Sequence, residues 1–548
     1  MESPDEPIPL TSSDTAAPPT GPSASESNHT EHLKVVSQGS TVSLIGSVAQ
    51  LLLTFLAYII AVRELSVTEW GAYSLGVSVT SLLSLVGLLG LGSAMARSLA
   101  YEKDPAERRA IVRWGVGVST VAAVALSSTV FFAAGPLADL FHNPALVPVF
   151  QLMSVTVGFG IISTAVASIF QGFKDVVPNA LINNAANAGL FALFLVLLIE
   201  FHVGLPGVVL AYVLAAGISL AILIVYALRR LPRHVEADVP AHPRPKNTLW
   251  QYTLAFWGAN NLMFITAYAD TLILGVFWPS TQVGYYSAAM TLARILLFGS
   301  FALAFIILPV MAGLIRDGDH DAIRKIYATS TRWVLVVTIP FFLLFAFAPQ
   351  ASMEFVWGHR YVPGAVALQI LVGASFLSSV LGPVNPCLAG LGKAKVLVWT
   401  SLVSAVANVA LSFLLIPSFG LIGAAVAWGV ARALLPLLGL SVLWESYRIS
   451  SFRRVLLAPL GVALAIGAPT VVLATTFDHS VWIVVPLFFF GAAVYVGAIL
   501  ATRTLTRDDL VLLGGVERIL GRPLPQLRQF LNRFIHENPT APIVSAVR

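Results

Sequence analysis

The sequence predicts an all-α polytopic membrane protein of about 14 transmembrane helices, built as two parallel six-helix repeats plus two extra C-terminal helices. Three observations carry that prediction. Only 11% of the 548 residues are charged and 57% are hydrophobic, with a mean hydropathy of +0.83. Soluble domains carry about 25% charged residues, and a chain of about 300 residues buries only about three quarters of its unfolded surface. A water-soluble fold of this composition therefore cannot hide its apolar area. Second, the basic residues are distributed unevenly over the loops. With a cytoplasmic N-terminus, 28 of the 32 Lys and Arg fall on the inner side, Arg63 and Arg360 fall outside, and Arg294 and Arg432 fall within spans. That bias sets orientation, and it checks the span count, because one missed helix would invert every later loop. Third, Trp70-Gly71-Ala72-Tyr73-Ser74 is echoed by Val283-Gly284-Tyr285-Tyr286-Ser287 at an offset of 213. Gly204-Leu205-Pro206-Gly207-Val208-Val209-Leu210-Ala211 is echoed by Gly420-Leu421-Ile422-Gly423-Ala424-Ala425-Val426-Ala427 at an offset of 216. Six spans per unit give both copies the same topology, so the repeat is parallel about an axis along the membrane normal. Two such units facing each other make a transporter plan.

Residues 1–38 are rich in Pro, Ser, Thr, Asp and Glu, and are expected to form a disordered cytoplasmic tail. No basic region precedes a short apolar run, so no cleaved signal peptide is expected. The apolar segments follow at 41–62, 71–96, 114–134, 148–171, 180–201 and 205–228, which make a first lobe over 39–228. A basic, Pro-containing loop at 229–251 is the natural linker. Spans at 252–277, 285–314, 333–350, 364–388, 397–417 and 421–442 make the second lobe over 252–442. Spans at 455–476 and 481–502 lie outside the repeat. In the tail 503–548, Leu527, Phe530, Leu531, Phe534 and Ile535 recur at helical spacing between Arg528 and Arg533. They suggest an amphipathic helix, either on the cytoplasmic membrane face or against the protein's own inner loops. The single cysteine, Cys387, excludes an internal disulfide and a CxxC metal site. The pI near 9.3 does not imply a nucleic-acid partner, because the basic residues are dispersed between apolar spans.

Several motifs together resemble the polysaccharide-biosynthesis flippases of the MOP (MATE-like) exporter superfamily. They are Ala61-Val62-Arg63-Glu64-Leu65 leading to Glu69-Trp70-Gly71-Ala72-Tyr73-Ser74, then Gly90-Leu91-Gly92-Ser93-Ala94-Met95-Ala96-Arg97, Asp270-Thr271-Leu272-Ile273-Leu274-Gly275 and Ala389-Gly390-Leu391-Gly392-Lys393. Ser66-Val67 stands where the family has Gly-Pro. The resemblance implies a V-shaped pair of bundles working by alternating access. It implies export of a polyprenyl-(di)phosphate-linked oligosaccharide from the cytoplasmic to the outer leaflet of the cell (plasma or inner) membrane, for surface glycan assembly. It also implies a monomer with both termini cytoplasmic, bound to membrane lipids and working beside glycosyltransferases or a polymerase. No cofactor or metal is expected.

Ionisable residues within spans are functional candidates, because a charge in hydrocarbon costs at least about 2.5–3.5 kcal/mol. Arg294 would meet the diphosphate or form an ion pair with Asp270. Asp270, at the family's acidic position, is the candidate for ion coupling, or else the partner of Arg294. Arg432 is a second cavity cation or a snorkelling side chain. Arg97 would receive phosphates from the cytoplasmic side or anchor the topology. Arg63 at the outer rim has Glu64 and Glu69 within reach. Gln50, Asn183, Asn184, Asn187, Asn260, Asn261 and Asn408 would bond sugar hydroxyls or neighbouring helices, with Asn260 and Asn261 ranked first because they share a span with Asp270. No Walker loop, dinucleotide fingerprint or His/Cys metal spacing points to catalysis. The competing readings are an ion-coupled multidrug exporter, whose site should be acidic and aromatic, and an envelope polymerase or glycosyltransferase, which would need longer outer loops than the approximately 14 residues available here.

Overall fold

The computed structural model describes residues 24–88, 90–199, 204–236, 262, 266–297, 319–449 and 481–501, together with isolated positions between 304 and 315 and at 461, 517, 525, 526 and 529. Among these residues the protein is entirely helical. Nine helices are long and apolar enough to cross a membrane. Their outward faces carry exposed Leu52, Val121, Val124, Leu197, Phe413 and Leu414, a belt of large apolar side chains that only a hydrocarbon solvent tolerates.

Helix α1 (Ala24–Glu64) begins inside the segment read as a disordered tail, and its apolar part is Val42–Glu64. It is followed by α2 (Val67–Leu88) and α3 (Leu91–Tyr101). The expected single span 71–96 is therefore broken, because Gly90 takes a φ of 82° that only glycine adopts without cost. Helix α4 (Pro105–Phe132) starts where Asp104 accepts from the Ala106 amide and Pro105 fills the first helical position, the usual N-terminal arrangement. A short α5 (Ala134–Leu140) precedes α6 (Leu146–Gly172). A π-helical stretch, Pro178–Ala186, runs into α7 (Asn187–Ile199), and α8 (Gly204–Glu236) continues through the first part of the expected linker. Helices α9 (Thr266–Phe277) and α10 (Ser280–Ala293) come next, followed by α11 (His320–Phe347), α12 (Pro349–Trp357), α13 (Ala365–Val380), α14 (Val384–Gly390), α15 (Ala394–Tyr447) and α16 (Val481–Ala501). The 53 residues of Lys395–Tyr447 would extend about 80 Å as one helix, against a core of about 30 Å. Gly420, at φ 55° and ψ −130°, breaks that run into the two expected spans. Its repeat equivalent Gly204 has φ 57°, so the second motif pair repeats in backbone conformation as well as in sequence.

Helices α1–α8 pack mainly on one another, α11, α13, α14 and α15 pack among themselves, and α16 lies against α11 and α12. The two groups meet where α2 packs along α10. This contact is tight because it is built from small residues. A Cβ on Gly71 would lie 1.8 Å from the Ser280 carbonyl oxygen, and one on Gly284 would lie 2.1 Å from that of Val67. Two glycines thus let the backbones touch, the device membrane helices use where apolar burial gives no net gain. The hydroxyls along α2 are satisfied locally, with Ser78 donating to the Ser74 carbonyl and Thr80 to that of Gly76. The expected span 455–476, apart from Gly461, and the amphipathic residues Leu527, Phe530, Leu531, Phe534 and Ile535 lie outside the described residues.

Candidate functional site

The α2–α10 contact locates the repeat axis. Thr68 Oγ1 lies 2.8 Å from Thr281 Oγ1, and Ser74 Oγ donates to Ser287 Oγ at 3.0 Å, each pair separated by 213 residues. A residue can touch its own repeat equivalent only on the axis that relates the copies. The two groups are therefore closed together at the end of the bundle where α2 and α10 begin. Two arginines reinforce that closure. Arg63 Nε donates to the Val356 carbonyl at 3.0 Å, and Arg63 Nη2 donates to that of Phe355. Arg360 returns the contact, with Nη2 donating to the Arg63 carbonyl at 2.9 Å and Nη1 to that of Leu65 at 3.2 Å. Tyr361 Oη donates to the Val62 carbonyl at 3.2 Å. Each arginine thus caps the C-terminus of a helix in the opposite group, where the free carbonyls and the dipole favour a cation. Glu69 holds the Ser66 amide and hydroxyl at 2.9 and 2.8 Å, so it is not the partner expected for Arg63.

Beyond the closure lies a cavity of about 410 Å³, within the range of about 300–1,000 Å³ usual for ligand pockets. Thr80, Ser81 and Ser84 of α2, Thr156, Ser163 and Thr164 of α6, Tyr212 and Ser219 of α8 and Tyr268 of α9 line it. Asn179, Asn183, Asn184 and Asn187 complete it from the π-helical stretch and its exit. Thr80 lies about 20 Å along α2 from Val67, so the cavity sits near mid-bundle. The π-helix explains how one segment supplies four amides. Its wider turn, with i→i+5 bonding, keeps residues i+4 and i+5 close to the face of residue i. Ser219 Oγ donates to the Ile182 carbonyl at 3.0 Å and Asn183 Nδ2 to that of Ser163 at 3.3 Å, pinning the stretch to α8 and α6. The side chains of Asn179, Asn184 and Asn187 form no hydrogen bond among the described residues.

Three of the charged candidates, Asp270, Arg294 and Arg432, lie in the second group. Arg294, exposed at the end of α10, opens a 3₁₀ turn, and its Nη2 reaches only the Ala267 carbonyl, at 3.5 Å. It acts electrostatically on Asp270, Tyr58 and Arg432. Arg432 is half-buried on α15, and its Nε lies buried without a hydrogen-bond partner among the described residues. Asp270 is fully buried and accepts from Tyr286 Oη through Oδ2, while Oδ1 has no partner among the described residues. The ion pair anticipated between Asp270 and Arg294 is therefore not made; the carboxylate is sealed against α10 by a tyrosine. Arg97 lies half-buried on α3, which packs on α6. Asn260 and Asn261 lie outside the described residues. Asn408 is buried, and neither its Oδ1 nor its Nδ2 has a hydrogen-bond partner among the described residues.

The family described as "Polysaccharide biosynthesis protein" matches residues 36–314, just over half of the chain. The chain belongs to this family. The chain is 28% identical over 171 residues to the probable low-salt glycan biosynthesis flippase Agl15 of Haloferax volcanii, a match covering 31% of this chain and 36% of that protein. The chain thus spans about a third of that relative's length. It is 23% identical over 384 residues to the succinoglycan biosynthesis transport protein ExoT of Rhizobium meliloti, covering 69% and 74% of the two. Among solved structures it superposes on the lipid II flippase MurJ in an inward closed conformation with a TM-score of 0.63 at 13% identity, covering 84% of this chain and 99% of that one. An inward-facing MATE multidrug transporter of the MOP superfamily gives 0.58 at 16% identity, covering 76% and 98%. The fold of this chain is therefore the one shared by these two transporters.

The reciprocal arginine caps escaped sequence reasoning because backbone carbonyls leave no residue signature; the one signal was that Arg63 and Arg360 alone stood outside in the charge count. Together they make four charge-assisted bonds at an exposed rim, each worth at most about 1 kcal/mol there. Replacing both with Ala is expected to loosen the closed end by about 2 kcal/mol, a shift of about 30-fold in the opening equilibrium. Alkylation of a Ser287→Cys probe, compared with and without Arg63→Ala/Arg360→Ala, reads that shift directly. Unchanged labelling would show that the axis contact alone holds the end shut.

Proposed function

We propose that this protein is a flippase that carries a polyprenyl-(di)phosphate-linked oligosaccharide from the cytoplasmic to the outer leaflet by alternating access, without making or breaking a covalent bond. The observation that carries the reading is a polar cavity near mid-bundle, in a bundle closed at one end across its own repeat axis. A sugar diphosphate needs such a polar path through hydrocarbon, while the prenyl tail stays in lipid. In this reading the lobes 39–228 and 252–442 rock about the α2–α10 axis, 229–251 links them on the cytoplasmic side, and 455–502 adds two spans for a lipid substrate. Both termini are cytoplasmic, so the arginine-capped end is the outer gate, and that gate is closed in the state described here. Arg294 and Arg432 neutralise the phosphates, Arg97 receives them from the cytoplasm, Asn260 and Asn261 bond the headgroup, and Asp270 serves coupling by exchanging its Tyr286 bond for an ion or proton. The protein acts as a monomer in the cell membrane, between glycosyltransferases that build the cargo and a polymerase that consumes it. A cationic-drug site would need open carboxylates, whereas Asp270 is sealed and the other two charges are positive.

Deleting the gene and measuring polyprenyl-linked sugars by mass spectrometry, with sidedness read in membrane vesicles, tests the proposal. One lipid-linked glycan should accumulate facing the cytoplasm. An unchanged pool with new sensitivity to cationic dyes would transfer the assignment to drug export.

A further inference from the structure

The repeat shows that the two halves of this site are not chemically equivalent. Subtracting the offset of 213 from Arg294 gives Ser81, and subtracting 216 from Arg432 gives Ala216. Both Ser81 and Ala216 line the cavity of the first group. At the two places where the second half presents a guanidinium, the first half thus presents a hydroxyl and a methyl. No charged side chain lines that cavity among the described residues. Its polar lining consists of hydroxyls and four side-chain amides, three of which have no partner among the described residues.

We infer that this cavity is the sugar subsite of the carrier-linked headgroup, and that the sugar it takes is uncharged; the inference rests on the flippase reading above. An asparagine amide offers both a donor and an acceptor, which matches a sugar hydroxyl or an acetamido group, each able to give and take a hydrogen bond. A uronate or a free amino sugar would bring a charge into a half-buried site with no counter-ion, and an unpaired charge is costly there. Tyr212 and Tyr268 add ring faces for the apolar side of a pyranose. The headgroup then lies across the repeat axis, with phosphates toward Arg294 and Arg432 and the sugar toward Asn183, Asn184 and Asn187. Specificity sits on the neutral side, because a cavity built to bond hydroxyls rejects an analogue that leaves its polar groups unpaired.

Saturation-transfer NMR on the purified full-length protein in detergent micelles tests this, with glucose, N-acetylglucosamine, glucuronate and glucosamine as probes. The two neutral sugars should bind at least tenfold more tightly than the two charged ones. Asn184→Asp, which keeps the side-chain shape and adds a charge, should weaken the neutral sugars about tenfold and favour glucosamine. Asn187→Asp provides the same reading if the first variant does not accumulate. Glucuronate binding as well as glucose, no binding by either neutral sugar, or neutral binding unchanged in both Asp variants would each overturn the subsite. Gene deletion reads separately. Accumulated lipid-linked glycan with any of those binding results leaves the flippase standing and removes the neutral subsite. An unchanged glycan pool removes the flippase reading and the cargo assignment with it.

Discussion

Oxidising a Thr68→Cys/Thr281→Cys double variant is expected to stop translocation completely, and a reductant is expected to restore it. The two hydroxyl oxygens are 2.8 Å apart, close enough that sulfurs in their place reach bonding distance with little backbone movement. The background is clean, because the native Cys387 is the one other cysteine and is fully buried. The effect should be total rather than partial because this pair lies on the repeat axis at the closed end. Alternating access in this bundle requires α2 and α10 to part there, and the glycine contacts at Gly71 and Gly284 are too tight for cargo to pass while they persist. Ser74→Cys/Ser287→Cys, built on a 3.0 Å contact further along the same axis, should behave alike. Vesicle translocation with and without oxidant, beside a gel assay of cross-linking, measures both. A cross-linked protein that still transports would show that the axis contact does not open in the cycle, and alternating access about α2–α10 would fall with it.

That axis was legible in the sequence at the level of composition. The offset of 213 joining Gly71 to Gly284 is the separation of the residues that touch, and the offset of 216 joins two glycines that share a positive φ. Hydropathy located most spans, because a bilayer imposes one apolar length on every helix. What escaped was fixed by partners with no sequence mark. Arg63 and Arg360 bond carbonyls across the axis, whereas a reading of side chains alone paired Arg63 with nearby acids. Asp270 was matched to Arg294 by charge and depth, yet it accepts from the Tyr286 hydroxyl, one of 13 tyrosines in the chain. The asparagines at 183, 184 and 187 were noticed, but facing them into one cavity depended on a π-helical turn that residue spacing does not announce.

Those corrected contacts sharpen what removing Arg294 should do. Arg294→Ala is expected to reduce translocation by at least about 100-fold while the protein accumulates and inserts normally. The loss follows from the cargo. A guanidinium in a bidentate bond to a phosphate contributes on the order of 3 kcal/mol, and each 1.4 kcal/mol is tenfold. Normal accumulation follows from the structure, because Arg294 is exposed and its one hydrogen bond among the described residues is a long one to the Ala267 carbonyl. Arg294→Lys should recover part of the activity, keeping the charge and losing the bidentate fork. Asp270→Ala should behave in the opposite way. It leaves the buried Tyr286 hydroxyl without its acceptor, a loss of about 1–3 kcal/mol in folding, so the variant should accumulate poorly. The double variant Asp270→Ala/Arg294→Ala separates the two accounts. If Arg294 serves the cargo and Asp270 serves the α9–α10 contact, the double variant accumulates as poorly as Asp270→Ala alone. If Arg294→Ala accumulates poorly and removing Asp270 as well rescues it, the two side chains are a structural ion pair after all, and the cationic arm of the site must be sought at Arg432.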